Sequence, residues 1–128
     1  MIVIINYKLG NLRSVQKTFE RINYQCEITC DLAKIEKADK LILPGVGNFK
    51  KGMENLRELD MIDILTRKVI KEKTPILGIC LGMQLMTKFS EEGNVEGLGW
   101  INANTYRFKN DIKDTKHKIP HMGWNTIN

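Results

Sequence analysis

The chain has 128 residues and is 42% hydrophobic, 27% charged and 7% aromatic, which predicts one folded domain and excludes collagen-like, low-complexity and membrane-spanning proteins. Its formal net charge of +5 comes from 20 basic and 15 acidic residues that are interleaved along the chain, so nucleic-acid binding is not favoured. The chain has three cysteines, an odd number, so we expect no disulfide framework. Its apolar start is too short for a signal peptide, so we expect a cytoplasmic protein without a membrane partner.

Segments typical of strands alternate with segments of helical spacing up to Phe89. The predicted strands cover residues 2–5, 24–29, 40–43 and 76–79. The predicted helices are one capped by Asn11 with apolar positions through Ile22, one capped by Asp31 through Lys37, and those at 50–57, 61–71 and 81–89. Residues 91–99 are a predicted loop, and 100–108 are strand-like. The alternation predicts an α/β fold, an open and mostly parallel sheet with helices on both faces.

Binding sites in such sheets lie beyond the carboxyl ends of the strands. The segments in that position are 6–10, 44–49 and 78–82. The last of them, Gly78-Ile79-Cys80-Leu81-Gly82, has the form Gly-x-Cys-x-Gly between a predicted strand and a predicted helix, as in a nucleophile elbow. The glycines permit a tight turn, the helix N-terminus favours a thiolate at Cys80, and the Leu81 N–H points to where an oxyanion would form. The alternative is a structural cysteine at a strand end.

Acyl transfer by a thiolate also needs backbone donors and a general base. Pro44-Gly45-Val46-Gly47 can supply donors, because glycine permits N–H groups to turn inward, although it can equally be a plain strand-ending loop. His117 and His121 lie on no clear carboxyl-end loop, and no His-x-Glu or His-x-Asp pair occurs; a Cys-His hydrolase using His121 stays one alternative. Cys26 and Cys30 lack partners at zinc spacing, so no metal site is expected.

Two of these segments resemble known sequences. Residues 78–84 are similar to the nucleophile segment of class I glutamine amidotransferases, and 44–47 to their oxyanion strand. Further segments resemble the HisH-type glutaminase subunits of imidazole glycerol phosphate synthase: 7–15, 91–93, 95–99 and 120–125. The resemblance covers the whole chain. It implies a flavodoxin-like fold and makes 1–128 the amino-terminal portion of a single amidotransferase domain, with the carboxyl-terminal part of the fold missing.

The resemblance also implies a mechanism and its residues. Cys80 attacks the side-chain amide of glutamine, ammonia leaves, and water hydrolyses the glutamyl thioester to glutamate, without a cofactor or a metal. The implied oxyanion donors are the backbones of Val46, Gly47 and Leu81. The implied glutamine-binding residues are Gly45, Gly47, Gln84 and Glu92. A carboxylate at Glu92 can pair with the substrate ammonium, although a glutamate in a loop is more often simply solvated.

The family further implies a partner. The ammonia passes to a HisF-type cyclase subunit in a heterodimer that makes imidazole glycerol phosphate and AICAR in histidine biosynthesis. The positions that match the partner-facing regions are Asn11, Met122, Trp124 and Asn125. Tryptophan and methionine suit an interface, whereas burial of Trp124 in the core is the alternative.

The chain departs from the family pattern at three places. Asn6 stands where family members often carry Asp, and Lys8 where Gly is common. Lys8 also occurs in related glutaminases that serve surface-sugar amidotransferases, which leaves a second acceptor open. The family's catalytic His-x-Glu pair would follow Asn128, so we expect the 128 residues alone to hydrolyse little glutamine. A cyclase-binding module without glutaminase activity is the remaining alternative.

Overall fold

The computed structural model describes residues 1–109 and 122–128, and its centre is a parallel four-stranded sheet. The strand order is β2–β1–β3–β4, with bounds β1 Ile2–Ile5, β2 Cys26–Thr29, β3 Lys40–Leu43 and β4 Ile76–Gly78. Ile4 pairs with Ile28 on one side and Ile42 on the other, and Leu43 pairs with Gly78. The predicted parallel α/β fold is confirmed.

Helices follow the strands at the predicted places. Their bounds are α1 Leu12–Arg21, α2 Leu32–Glu36, α3 Phe49–Glu58, α4 Met61–Thr66 and α5 Leu81–Leu85. Both predicted N-caps are confirmed: the Asn11 side chain accepts from the Ser14 N–H at 3.2 Å, and Asp31 accepts from the Ala33 N–H at 2.9 Å. Within the described ranges, no helix has the length and apolar character that spanning a membrane requires.

Successive side chains of each strand point to opposite faces of the sheet. On one face, strand side chains join buried side chains of α2 to α5 in a single core, which includes Val3, Ile5, Leu41, Leu43, Ile35, Phe49, Leu56, Leu65, Leu81 and Leu85. Ile4 and Ile42 are buried outside that cluster. Phe19 of α1 lines a groove with Ile42 and Leu77, so α1 lies on the opposite face. This packing fixes α3 and α5 beside the carboxyl ends of β3 and β4.

The region after α5 differs from the prediction. The helix predicted at 81–89 ends at Leu85, because the N–H groups of Trp100 and Ile101 donate to the Met86 carbonyl at 2.9 and 3.0 Å. A second sheet follows, with order β6–β5–β7 and bounds β5 Phe89–Ser90, β6 Val95–Glu96 and β7 Asn104–Thr105. The predicted loop 91–99 therefore contains a strand, and the strand-like segment 100–108 keeps only β7. Pairing with residues distant in sequence replaces helical hydrogen bonds here.

Two other boundaries shift for local reasons. The second strand begins at Cys26 instead of Tyr24, because the Tyr24 N–H donates to the Phe19 carbonyl at the end of α1, at 2.9 Å. The helix predicted at 61–71 changes after α4 into a π-helical turn, Arg67–Lys71. The Glu72 N–H closes that turn on the Arg67 carbonyl at 3.0 Å.

Candidate active site

Three loops meet beyond the carboxyl ends of β1, β3 and β4. The loop after β1 reaches the loop after β3 at Gly10, where a Cβ would lie 3.2 Å from the Gly45 backbone. The loop after β3 adjoins the turn after β4, since the Ile79 N–H donates to the Leu43 carbonyl at 3.0 Å. The segments 6–10, 44–49 and 78–82 are therefore neighbours in space.

Cys80 lies on a sharp turn between β4 and α5. Its backbone has φ 53° and ψ −116°, a conformation in which any side chain is strained, and the residue is exposed. Glycine is required on both sides: a Cβ on Gly78 would come 2.7 Å from the Met83 Cα, and one on Gly82 would come 1.7 Å from the Leu43 carbonyl oxygen. The Gly-x-Cys-x-Gly segment thus has the strand–turn–helix geometry of a nucleophile elbow.

Of the three candidate oxyanion donors, Leu81 directly follows Cys80, and Val46 and Gly47 lie on the loop after β3. Leu81 is the first residue of α5, so its N–H has no acceptor within its own helix. Gly47 has φ +123°, and apart from Gly47 and its two chain neighbours no atom of the described residues lies within 4 Å of where its Cβ would be. The neighbouring Val46 side chain is exposed. The backbone at 46–47 is therefore open to solvent, whereas Leu81 is buried at the start of α5.

Gly45 forms the inner wall of the site. A Cβ at this position would meet the Tyr7 hydroxyl at 2.1 Å and the Leu81 Cβ at 2.9 Å. The Tyr7 hydroxyl is buried and has no hydrogen-bond partner among the described residues. Burial, and secondly the negative charge of an ionised Cys80, raise the pKa of Tyr7 above its ordinary value. Sequence reasoning missed Tyr7, although its place in a carboxyl-end loop was a usable signal.

Two of the candidate glutamine-binding residues come from different elements. Gln84 is half-buried in the first turn of α5, and its N–H donates to the Cys80 carbonyl at 3.1 Å. Glu92 belongs to the loop between β5 and β6, and its Oε1 accepts from the Asn48 Nδ2 at 3.2 Å. The structure therefore brings Glu92 to the loop that carries Gly47. Asn48 was also missed, although asparagine directly before a helix is a known N-cap signal.

The candidate partner-facing residues are exposed. The Asn11 side chain is occupied as the cap of α1. Met122 and Trp124 are 88% and 102% exposed, so core burial of Trp124 is wrong. Asn125 is exposed as well. His117 and His121 lie outside the described residues, which contain no histidine.

Comparison with known families agrees with this geometry. Residues 3–127 match the family described as glutamine amidotransferase class-I. This chain belongs to that family. A solved structure described as a glutamine amidotransferase superposes with a TM-score of 0.70 at 22% identity, covering 84% of this chain and 57% of that chain. That likeness shows the class I amidotransferase fold.

Three relatives with high identity are each named as a HisH subunit of imidazole glycerol phosphate synthase. The chain is 56% identical over 127 residues to imidazole glycerol phosphate synthase subunit HisH 2 of Methanococcus maripaludis, and 51% identical over 128 residues to subunit HisH 1 of Campylobacter jejuni. It is 43% identical over 127 residues to subunit HisH 2 of Pseudomonas aeruginosa. Each alignment covers 99% of this chain but only 61%, 62% and 61% of the respective relative.

Proposed function

We propose that this chain carries the nucleophile and part of the glutamine site of a HisH-type glutaminase. The observation that carries the proposal is the strained turn at Cys80, which places this exposed residue at the start of α5, where Leu81 and Gly82 adjoin Gly45. Family membership supports the reaction class, and the turn supports Cys80 as the nucleophile. The names of the relatives support the HisH type.

The proposed reaction begins with attack of the Cys80 thiolate on the side-chain amide carbon of glutamine, which forms a C–S bond. Backbone N–H groups of Leu81 and of Val46 or Gly47 stabilise the oxyanion that develops. The C–N bond then breaks, and the leaving nitrogen takes up a proton and departs as ammonia. Water cleaves the C–S bond of the thioester, which gives glutamate and restores the thiol. The proton-transferring base is not assigned among the described residues.

Glutamine is proposed to lie along the loop after β3. The backbone at Gly45 and Gly47 and the half-buried side chain of Gln84 border the amide end of the substrate. The Glu92 carboxylate binds the α-ammonium group, because a charge-assisted hydrogen bond is stronger than one between neutral groups. No part of this scheme calls for a cofactor or a metal ion.

The ammonia is proposed to pass to a HisF-type cyclase subunit. The relatives are named as subunits of imidazole glycerol phosphate synthase, and the exposed Met122 and Trp124 are of the types enriched at interfaces. Titration of the chain with a HisF-type cyclase should give saturable binding. Trp124→Ala should weaken it by roughly tenfold or more, as expected for a hot-spot tryptophan. Equal affinity of the two forms would remove Trp124 from the interface.

Covalent labelling tests the glutaminase site directly. The chain is incubated with the L-amino acid chloroketone that mimics glutamine, and the labelled cysteine is identified by peptide mass. We expect labelling at Cys80 that saturates with reagent and is slowed by glutamine, and no labelling in Cys80→Ser. The D-enantiomer of the same reagent is the matched probe, since it has equal chemical reactivity. Labelling of Cys26 or Cys30 at the same rate, or no protection by glutamine, would overturn the proposal.

A further inference from the structure

Two adjacent glutamates near the site are held in different directions. The Glu91 carboxylate accepts from the Arg107 N–H at 3.0 Å, which ties it to the segment after β7. The Glu92 carboxylate instead accepts from the Asn48 amide at 3.2 Å, beside the loop that carries Gly47. Without the family resemblance, the local sequence pattern does not distinguish these two acids. The difference in the structure comes from what each carboxylate is bonded to.

Asn48 makes two hydrogen bonds from opposite ends of one planar amide. Its Oδ1 accepts from the Lys51 N–H at 3.1 Å and so caps α3. Its Nδ2 donates to Glu92 Oε1. Because the amide is planar, the capping bond fixes the direction in which the Nδ2 donors point. The helix cap therefore also aims a donor at Glu92.

The loop that bears Glu92 is held by a hydrogen bond to Ser90 of β5 and by a close approach of Gly93 to α3. The Glu92 N–H donates to the Ser90 hydroxyl at 3.1 Å. Gly93 has φ +80°, and a Cβ there would lie 3.0 Å from the Lys50 Cβ. A side chain at 93 would push the loop away from the first turn of α3. These contacts leave the carboxylate of Glu92 with one oxygen on Asn48 and with Oε2 unpaired within residues 1–109 and 122–128.

We infer that Asn48 is a positioning residue that holds the Glu92 carboxylate in place to bind the ammonium group of an amino-acid substrate. The inference rests on the proposed function, because it needs glutamine or an analogue at Cys80. Asn48 touches neither the reacting amide nor Cys80 in this scheme. It acts through Glu92 alone, so its loss should weaken substrate binding and leave the chemistry at the thiol intact.

Two substitutions separate this role from the helix cap. Serine and aspartate both cap helices well, so Asn48→Ser and Asn48→Asp should keep α3 folded. Serine removes the Nδ2 donor, and aspartate places a negative charge against Glu92. The readout is the labelling of Cys80 by the L-chloroketone, separated into half-saturating concentration and maximal rate.

We expect Asn48→Ser to raise the half-saturating concentration roughly fivefold and Asn48→Asp to raise it roughly tenfold or more, as typical for loss of one bond to a charged group and for repulsion. The maximal rate should change by less than about twofold, and so should the rate with iodoacetamide, which has no ammonium group. The melting temperature measured alongside should stay close to that of the unchanged chain.

Glu92→Gln provides the matched control, because it removes the charge that Asn48 is inferred to hold. Adding Asn48→Ser to Glu92→Gln should cause no further rise in the half-saturating concentration, as expected for two residues that act as one unit. Additive effects, or an unchanged half-saturating concentration in Asn48→Ser, would overturn the inference. Failure of the unchanged chain to be labelled in a saturable way would instead count against the proposed function.

Discussion

Two cysteines of this chain lie just beyond parallel strands and just before helices, yet their surroundings differ. Cys30 follows β2 and Cys80 follows β4, and both residues are exposed. After Cys30, Asp31 caps α2 and its carboxylate takes the Ala33 N–H. At Cys80 the cysteine itself is the N-cap of α5, with positive φ and no side-chain cap.

The difference bears on the reactivity proposed for Cys80. At a capped helix start, part of the backbone N–H groups already donate to the capping side chain. An uncapped start leaves its N–H groups for an incoming oxyanion. Placement at the carboxyl edge is thus shared by both cysteines. Of the two cysteines, only Cys80 has a strained backbone and lacks a side-chain cap.

The largest effect is expected at the second residue after each cysteine. Leu32 occupies that position after Cys30, whereas Gly82 occupies it after Cys80. Gly82→Ala should lower the free energy of unfolding by more than about 3 kcal/mol, because its Cβ would lie 1.7 Å from a backbone oxygen of β3. Urea unfolding measures this, with Leu32→Ala as the comparison at a position that already carries a Cβ and loses only core packing. A stable Gly82→Ala chain would mean that position 82 lies farther from the Leu43 carbonyl oxygen than described.

Replacing each cysteine by glycine should have opposite effects. Cys80→Gly relieves a strained φ and should raise the free energy of unfolding by about 1–2 kcal/mol, while removing the proposed nucleophile. Cys30 has no positive φ, so Cys30→Gly should lower the free energy of unfolding by roughly 0.5–1 kcal/mol, because glycine increases the entropy of the unfolded chain. Cys80→Ala keeps the Cβ and serves as the control. Equal shifts at both positions would argue against strain at the elbow.

Removing the Asp31 cap tests the helix start that follows Cys30. Asp31→Ala should lower the free energy of unfolding by about 1 kcal/mol, since the Ala33 N–H loses its acceptor. Asp31→Asn should retain most of the stability because asparagine caps as well. Thermal unfolding of the three chains decides this, and an unchanged midpoint for Asp31→Ala would show that the cap contributes little.

The smallest effect is expected beneath the elbow, at Tyr7. Tyr7→Phe removes a buried hydroxyl that lacks a partner in the described part of the chain, so the free energy of unfolding at neutral pH should change by less than about 1 kcal/mol. Unfolding at several pH values provides a sharper measurement.

The pKa of Tyr7 is raised by burial, so the unfolded chain ionises first as the pH rises above about 10. Stability contributed by the neutral hydroxyl is complete below that value and declines above it. Tyr7→Phe should therefore lose less stability between neutral and strongly alkaline pH than the unchanged chain. Tyr106→Phe, at an exposed tyrosine, should behave like the unchanged chain. Parallel declines in all three chains would contradict burial of the Tyr7 hydroxyl.

The sequence by itself determined the features that depend on neighbouring residues. Strand-like segments predicted the four parallel strands, although β2 begins two residues later than predicted. Asn11 and Asp31 specified the starts of two helices, and the glycines around Cys80 specified the turn. These are local effects of periodicity, capping and backbone freedom, which residues a few positions apart decide.

Only the tertiary structure decided the features that depend on distant partners. Phe89 continues a helical pattern but forms a strand, because β6 and β7 offer it backbone partners. Glu92 is directed to the loop after β3 by an amide 44 residues away, whereas Glu91 is not. Tyr7 is enclosed because Gly45 leaves room for its hydroxyl. Such contacts form only when the sheet brings the loops together, so no local pattern in the chain specifies them.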